Sequence, residues 1–366
     1  MTLALTQLKL SHFRSHKSTE ITCDARPVAI FGPNGAGKTN ILEAVSLFSP
    51  GRGIRRASAQ DMTRRPEALG WKLSGLLTTA EDTQEIETWS ENGAARLVKI
   101  NGKSSPQTRL GNLCRVIWLI PSMDRLWIEG AEGRRRFLDR TSLSFFPDHA
   151  EAALTYEKTM RERNRLLKEQ IRDAHWYKAL EDQMAKCAAQ IHANRLATIK
   201  QLTEAQAQVT TAFPIAELDL QQTEGESPVT PDDFREAFAE SRSRDIMAGR
   251  TLVGPHRSDL YAAYIAKGIP ASDCSTGEQK ALLISLILAN ARALSDSIGT
   301  PPILLLDEVA AHLDANRRAA LYDELTALKA QAWMTGTEDH LFDALGDRAQ
   351  YLTVTENEGL SALDAP

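Results

Sequence analysis

The eight residues Gly32-Pro33-Asn34-Gly35-Ala36-Gly37-Lys38-Thr39 constrain this chain more than any other stretch. They fit G-x-x-x-x-G-K-[ST] and lie between an apolar, strand-like run, Val28 to Phe31, and a helix-like run, Asn40 to Leu47. The pattern works only on a strand-to-helix turn. There, successive backbone N–H groups wrap a β-phosphate and the helix N-terminus adds partial positive charge. Lys38 is placed to reach the β/γ oxygens, and Thr39 to offer its hydroxyl to Mg2+. The candidate contacts for a nucleoside triphosphate are Gly32, Pro33, Asn34, Gly35, Ala36, Gly37, Lys38, Thr39 and Asn40.

The chain has 366 residues, enough for one large core or a core with a smaller companion. With 25% charged and 42% hydrophobic residues it has ordinary globular composition. Every apolar stretch is broken before the roughly 18 residues of a membrane span, so no membrane partner is expected. The opening Met1 to Leu5 lacks the basic flank of a signal peptide. Cys23, Cys114, Cys187 and Cys274 are scattered without a C-x-x-C pair, which argues against zinc or a disulfide framework and fits a reducing cytoplasm. The net charge of −5 excludes a general polycation, so any nucleic-acid binding must use local basic patches.

The order of elements predicts an α/β fold. Strands are expected at Leu3 to Leu10, Ser18 to Thr22 and Val28 to Phe31, then hairpin strands at Trp71 to Thr79, Gln84 to Trp89 and Ala95 to Ile100. Val116 to Leu119 is a further short strand ended by Pro121. From Ala131 to Ala212 the composition is helical, with one helix through Arg136 and two longer ones packed as a hairpin. Pro214 to Arg250 is mixed and loop-rich, with a helix over Pro231 to Ser241, and Leu260 to Ile265 reads as a strand. The remainder alternates: helix Thr276 to Leu294, strand Ile303 to Leu306, helix Ala315 to Ala330, strand Ala332 to Thr335. That alternation requires a parallel sheet shared with the phosphate-loop strand. Residues 1–130 and 251–366 therefore form one discontinuous nucleotide-binding core of mixed sheet and helices, with 131–250 inserted as a helical arm.

Two acids complete the catalytic candidates. Ile303-Leu304-Leu305-Leu306 runs into Asp307-Glu308, which places Asp307 to hold the metal's water shell and Glu308 to polarise an attacking water. Thr39 and Asp307 are the expected metal ligands; Lys38, Asp307 and Glu308 carry the catalysis.

Ser275-Thr276-Gly277-Glu278-Gln279, a helix and then the acidic strand resemble the signature order of ATP-binding-cassette ATPases. In that superfamily the signature of one subunit completes the γ-phosphate site of another. Ala310-Ala311-His312-Leu313-Asp314 resembles its dimer-contact loop. Ser275 follows Thr39 by 236 positions, far beyond a transporter cassette and like the chromosome-maintenance and Rad50-like branch. Leu8 to Ser15 resembles that branch's opening strand and turn. Pro121 to Trp127 with Arg134 to Asp139, and Val253 to Leu260, narrow the likeness to the RecF family of bacterial recombinational-repair ATPases. The resemblance implies an ABC-type head that binds ATP with Mg2+, dimerises with a second copy when ATP is bound, and hydrolyses it slowly under DNA stimulation. It implies a cytoplasmic protein that grips single-stranded and duplex DNA at gapped junctions. Such a protein serves repair of gaps and stalled replication in the SOS response, and helps RecR and RecO load recombinase.

Departures from the pattern are visible. Ser122-Met123-Asp124 stands where a Pro-Glu-Asp type triplet is more usual, and no glutamine marks a nucleotide-sensing loop. Thr335-Gly336-Thr337 replaces the transporter histidine, with Thr337 a candidate for its role. Among basic clusters, Arg52, Arg55 and Arg56 in a Gly-flanked loop and Arg134, Arg135 and Arg136 on a helix are candidates for DNA or a partner subunit. Arg161, Arg163, Arg165 and Lys168 read equally as a phosphate-binding or a solvated helix face. His256 and Arg257 are open between a turn and a functional role. The rival readings are a transporter nucleotide-binding subunit and a small-molecule P-loop kinase.

Overall fold

The computed structural model describes residues 3–79, 82–222, 225 and 227–364. In chain order the elements are β1 (Ala4–Phe13), β2 (His16–Thr22), β3 (Val28–Phe31), α1 (Lys38–Ser46), α2 (Ala59–Met62), β4 (Trp71–Thr78), β5 (Thr83–Ser90), β6 (Leu97–Ile100), β7 (Lys103–Ser104), α3 (Leu110–Leu113) and β8 (Val116–Leu119). Then come α4 (Ala131–Phe145), α5 (His149–Lys168), α6 (Ala174–Ala207), β9 (Ala216–Gln222), α7 (Pro231–Ala248), β10 (Ser258–Tyr264) and β11 (Ile269–Pro270). The last are α8 (Thr276–Ile298), β12 (Ile303–Leu306), α9 (Ala315–Ala327), β13 (Ala332–Gly336), β14 (Gln350–Asn357) and β15 (Leu360–Asp364).

The chain divides into two compact units. The first holds Met1–Asp124, Ala205–Ile215 and Ser275–Pro366; the second holds Arg125–Glu204 and Ala216–Cys274. In the first unit, one sheet has the order β2-β1-β4-β5-β6-β7 and is antiparallel throughout. Its strands alternate buried and exposed positions, as Trp71–Thr78 does, because only one face meets the core. The other sheet has the order β15-β14-β3-β13-β12-β8, with β14, β3, β13, β12 and β8 parallel. The four residues Ile303–Leu306 are buried on both faces, the mark of a central parallel strand. Leu8, Leu10 and Leu73 from the first sheet join Val28, Ile30, Leu305, Trp333 and Val354 from the second in one apolar core. Helix α8 is long and apolar enough to cross a membrane by composition alone, contrary to the expectation that charge interrupts every such run. Its most apolar window is 72% buried, so burial inside the protein explains its composition.

The second unit packs Ala152, Tyr156, Met184, Ala188, Phe234 and Phe238 from α5, α6 and α7 into its own core. It also contains an antiparallel sheet, β11-β10-β9. Here the structure departs from the sequence reading. The 258–264 strand forms, but pairs antiparallel with β9 and β11 and does not enter the parallel sheet. β9 lay unrecognised in the loop-rich stretch, because its burial alternates over only seven residues of mostly polar sequence. The stretch 251–274, assigned from sequence to the ATPase core, falls in this second unit.

Candidate functional site

The phosphate loop leaves β3 and enters α1 at the carboxyl end of the parallel sheet, where an open α/β sheet presents its ligands. Two glycines are dictated by positive φ and by the close approach of neighbouring atoms. A Cβ on Gly32 (φ 149°) would stand 2.1 Å from the Val354 carbonyl oxygen. One on Gly37 (φ 105°) would stand 2.3 Å from Ser361 Oγ. The loop is braced from behind. Ser361 Oγ donates to the Ala36 carbonyl at 2.6 Å, His16 Nε2 lies 3.2 Å from the Gly37 carbonyl, and Asn40 Nδ2 donates to Ser15 Oγ at 2.7 Å. Burial lowers the His16 pKa, which keeps its ring neutral under the loop.

Lys38 is buried and its Nζ donates to the carbonyls of Gly32 (2.7 Å) and Pro33 (2.9 Å). Burial lowers its pKa, opposed by the nearby charges of Glu308 and Asp307. Thr39 Oγ1 donates to Asp307 Oδ1 at 3.0 Å, so the two expected metal ligands meet although 268 positions apart. Asp307 is buried at the end of β12. Glu308, next along, is half-buried and has φ 54°, a left-handed conformation costing on the order of 1 kcal/mol.

A residue that sequence reasoning passed over joins these parts. Thr335, at the end of β13, donates from Oγ1 to Asp307 Oδ1 at 2.7 Å and accepts from the Glu308 N–H at 2.9 Å. The signal was strand order: β13 lies between β3 and β12, so its carboxyl end must fall between the loop and the acids. Thr337 is half-buried in the bend beyond the strand.

The signature residues open α8. Ser275 caps the helix by accepting from the Glu278 N–H, and Glu278 Oε2 returns to the Ser275 N–H at 2.9 Å, a capping box. Ser275, Thr276 and Gly277 are exposed, and a Cβ on Gly277 would meet open space. Gln279 is buried beneath them, beside Lys280, whose Nζ donates to Asp124 Oδ2 at 3.2 Å. The Ser122-Met123-Asp124 departure thus ends in an anchor for the signature helix. In the dimer-contact loop, Asp314 caps α9 by accepting from the Arg317 N–H at 2.9 Å; the His312 side chain lies outside the described residues.

The arginine groups separate on inspection. Arg52 and Arg56 are exposed, and Arg55 Nη1 donates to Asn40 Oδ1 at 2.7 Å beside the phosphate loop. Arg134 instead forks onto Asp259 at 2.7 Å through both Nε and Nη2, and Arg135 donates to the Ser258 carbonyl at 2.9 Å. Those two are packing cations of the second unit; Arg136 reaches outward to Glu132 at 2.6 Å. Arg163 corrects the expectation of a uniform helix face. It is fully buried, donating to Asp245 (2.7 Å), Glu181 (3.1 Å), Thr251 Oγ1 (2.9 Å) and the Phe238 carbonyl (3.0 Å).

His256 is also structural. Its Nε2–H donates to the Thr251 carbonyl at 3.0 Å, which leaves Nδ1 to accept from the Tyr156 hydroxyl at 2.8 Å. Burial pushes its pKa down to about 4, against the bond to Thr251 and with the charges of Arg257, Arg135 and Arg195 assisting.

Comparison with known proteins follows the same lines. The RecF/RecN/SMC N terminal domain family matches residues 4–360. The DNA replication and repair protein RecF of Rhizobium etli is 45% identical, over 97% of this chain and 98% of its own length. That of Rhizobium meliloti is 44% identical, over 96% of each. Among solved structures, the recombination mediator protein RecF-ATPrS in the RecFOR pathway aligns with a TM-score of 0.83 at 22% identity, over 99% of this chain and 98% of that one. The Smc head domain from Pyrococcus furiosus, with an extended coiled coil, aligns at 0.56 and 17%, over 99% and 96%. At such identities the structural likeness establishes the fold, an ATPase head of the SMC and RecF type.

Proposed function

Because the chain belongs to the RecF family of DNA replication and repair proteins, we propose that it is an ATP-driven DNA clamp made of two copies of itself. One observation carries this reading. The phosphate loop, Asp307 and Glu308 gather at the carboxyl end of the parallel sheet, while Ser275, Thr276 and Gly277 stand exposed with open space before Gly277. That is a site with a half left over. Facing a second copy, each signature would close over the other copy's nucleotide.

Within each half, the loop N–H groups and Lys38 hold the phosphates and Glu308 orients the attacking water. Thr39 and Asp307 would hold Mg2+. Their oxygens, one hydroxyl and one carboxylate brought within 3.0 Å, suit a hard cation. Bound there, Mg2+ neutralises charge on the β- and γ-phosphates. ATP stabilises the closed dimer by binding it better than the open state, and slow hydrolysis releases it. Of the basic candidates, Arg52, Arg55, Arg56 and Arg136 keep partly or wholly exposed heads and are assigned to DNA or the partner copy. The reading places the protein in the cytoplasm at gapped DNA, working with RecR and RecO.

The test is dimerisation and binding to gapped DNA with and without ATP, for wild type, Lys38→Arg, Ser275→Arg and Glu308→Gln. The expected result is ATP-dependent dimerisation and DNA retention in wild type. Glu308→Gln should retain DNA with turnover lowered about 100-fold or more. Lys38→Arg and Ser275→Arg should show neither. Wild-type behaviour indifferent to ATP would defeat the reading.

A further inference from the structure

We infer that Thr335 is the positioning residue that sets both acids for hydrolysis, an inference that rests on the ATPase reading above. Its hydroxyl has one proton and its oxygen has lone pairs, and the site uses both. The proton goes to Asp307 Oδ1 (2.7 Å); a lone pair accepts the Glu308 N–H (2.9 Å). The same Asp307 oxygen also accepts from Thr39 (3.0 Å). Three chain segments, α1, β12 and β13, therefore converge on one carboxylate oxygen. Asp307 is held with that oxygen toward the phosphate loop's helix, and the bond to its N–H holds Glu308 in a left-handed conformation that non-glycine residues rarely adopt. The direction of the Glu308 side chain depends on that conformation. Thr335 itself is fully buried and touches the reaction only through its two acidic neighbours.

Valine has nearly the shape of threonine without the hydroxyl, and serine keeps the hydroxyl. Wild type, Thr335→Val and Thr335→Ser are compared for kcat and KM of ATP hydrolysis, nucleotide affinity with and without Mg2+, and thermal melting. Thr335→Val should lose about 30-fold in kcat, the effect of removing two buried hydrogen bonds from the reactive arrangement. Its Mg2+-free nucleotide affinity should stay within about twofold of wild type, while most of the tightening given by Mg2+ disappears. Thr335→Ser should stay within about threefold of wild type throughout. If Val lowers the melting temperature markedly, Thr335→Cys, similar in size with a feeble hydrogen-bonding group, replaces it under the same criteria. Adding Thr335→Val to Glu308→Gln should cost less than the product of the two single losses, since the part of the Thr335 effect that passes through Glu308 is already gone and only the part through Asp307 remains. A Val variant turning over like wild type, a Ser variant as defective as Val, or fully additive losses would each overturn the inference. Failure of wild type to hydrolyse ATP would overturn the ATPase reading itself, so the two failures are distinguishable.

Discussion

Residue by residue, the phosphate loop and the acids answer to different physics. The loop is local: Gly32 and Gly37 are glycines because Val354 and Ser361 press where a Cβ would stand. Such a site is legible in sequence because its spacing is fixed by one turn. Asp307 was legible as an acid leaving an apolar strand, but its bond to Thr335 was not, since that needs β13 to lie beside β12. His256 shows the same limit. Its neutrality comes from burial among residues scattered from Tyr156 to Arg257, and it yields a signed prediction. Folded, it resists protonation down to about pH 4; unfolded, it takes a proton near 6.5. Its contribution is therefore present above pH 6.5 and lost as pH falls from there toward 4, by on the order of 3 kcal/mol. Urea unfolding of wild type and His256→Gln at pH 7 and pH 4.5 checks this: wild type should lose more stability than the variant. Equal losses would show that His256 does not titrate as its burial requires.

At the level of elements, helical composition revealed α4, α5, α6 and α7 but not what fastens them. Arg163, on α5, looks in sequence like one of several surface cations. Its partner Asp245 comes 82 positions later, on α7, and Glu181 lies on α6. The guanidinium also lies over the Tyr177 and Phe238 rings; removing it leaves the buried Asp245 carboxylate without its cation and Glu181 with Arg242 alone, so Arg163→Ala should cost about 3–5 kcal/mol. Exposed Arg161→Ala should cost no more than about 0.5 kcal/mol. Denaturant unfolding of the two variants decides the matter; similar losses would refute the buried triad. The antiparallel placement of β10 was beyond sequence reasoning for a related reason. A strand's periodicity tells which faces are buried, not which neighbour it pairs with.

For the whole molecule, the arrangement of the first unit supports the proposal that it holds half of a composite site. Thr39, Asp307, Glu308 and Thr335 converge, whereas Ser275 uses its local bonds to cap α8 and, like Gly277, stays exposed. The long separation between phosphate loop and signature is filled largely by a second unit with its own core. The central claim is that each signature serves the nucleotide on another copy. It is tested by mixing Lys38→Ala and Ser275→Arg proteins, each inactive alone, and measuring ATP turnover. If signatures act in trans, only the mixed dimer carries an intact site, one of its two, and the mixture should regain about a quarter of wild-type activity if the copies pair at random and about half if only mixed dimers form. If the mixed proteins dimerise and stay inactive, the signature does not act across the dimer and the account fails.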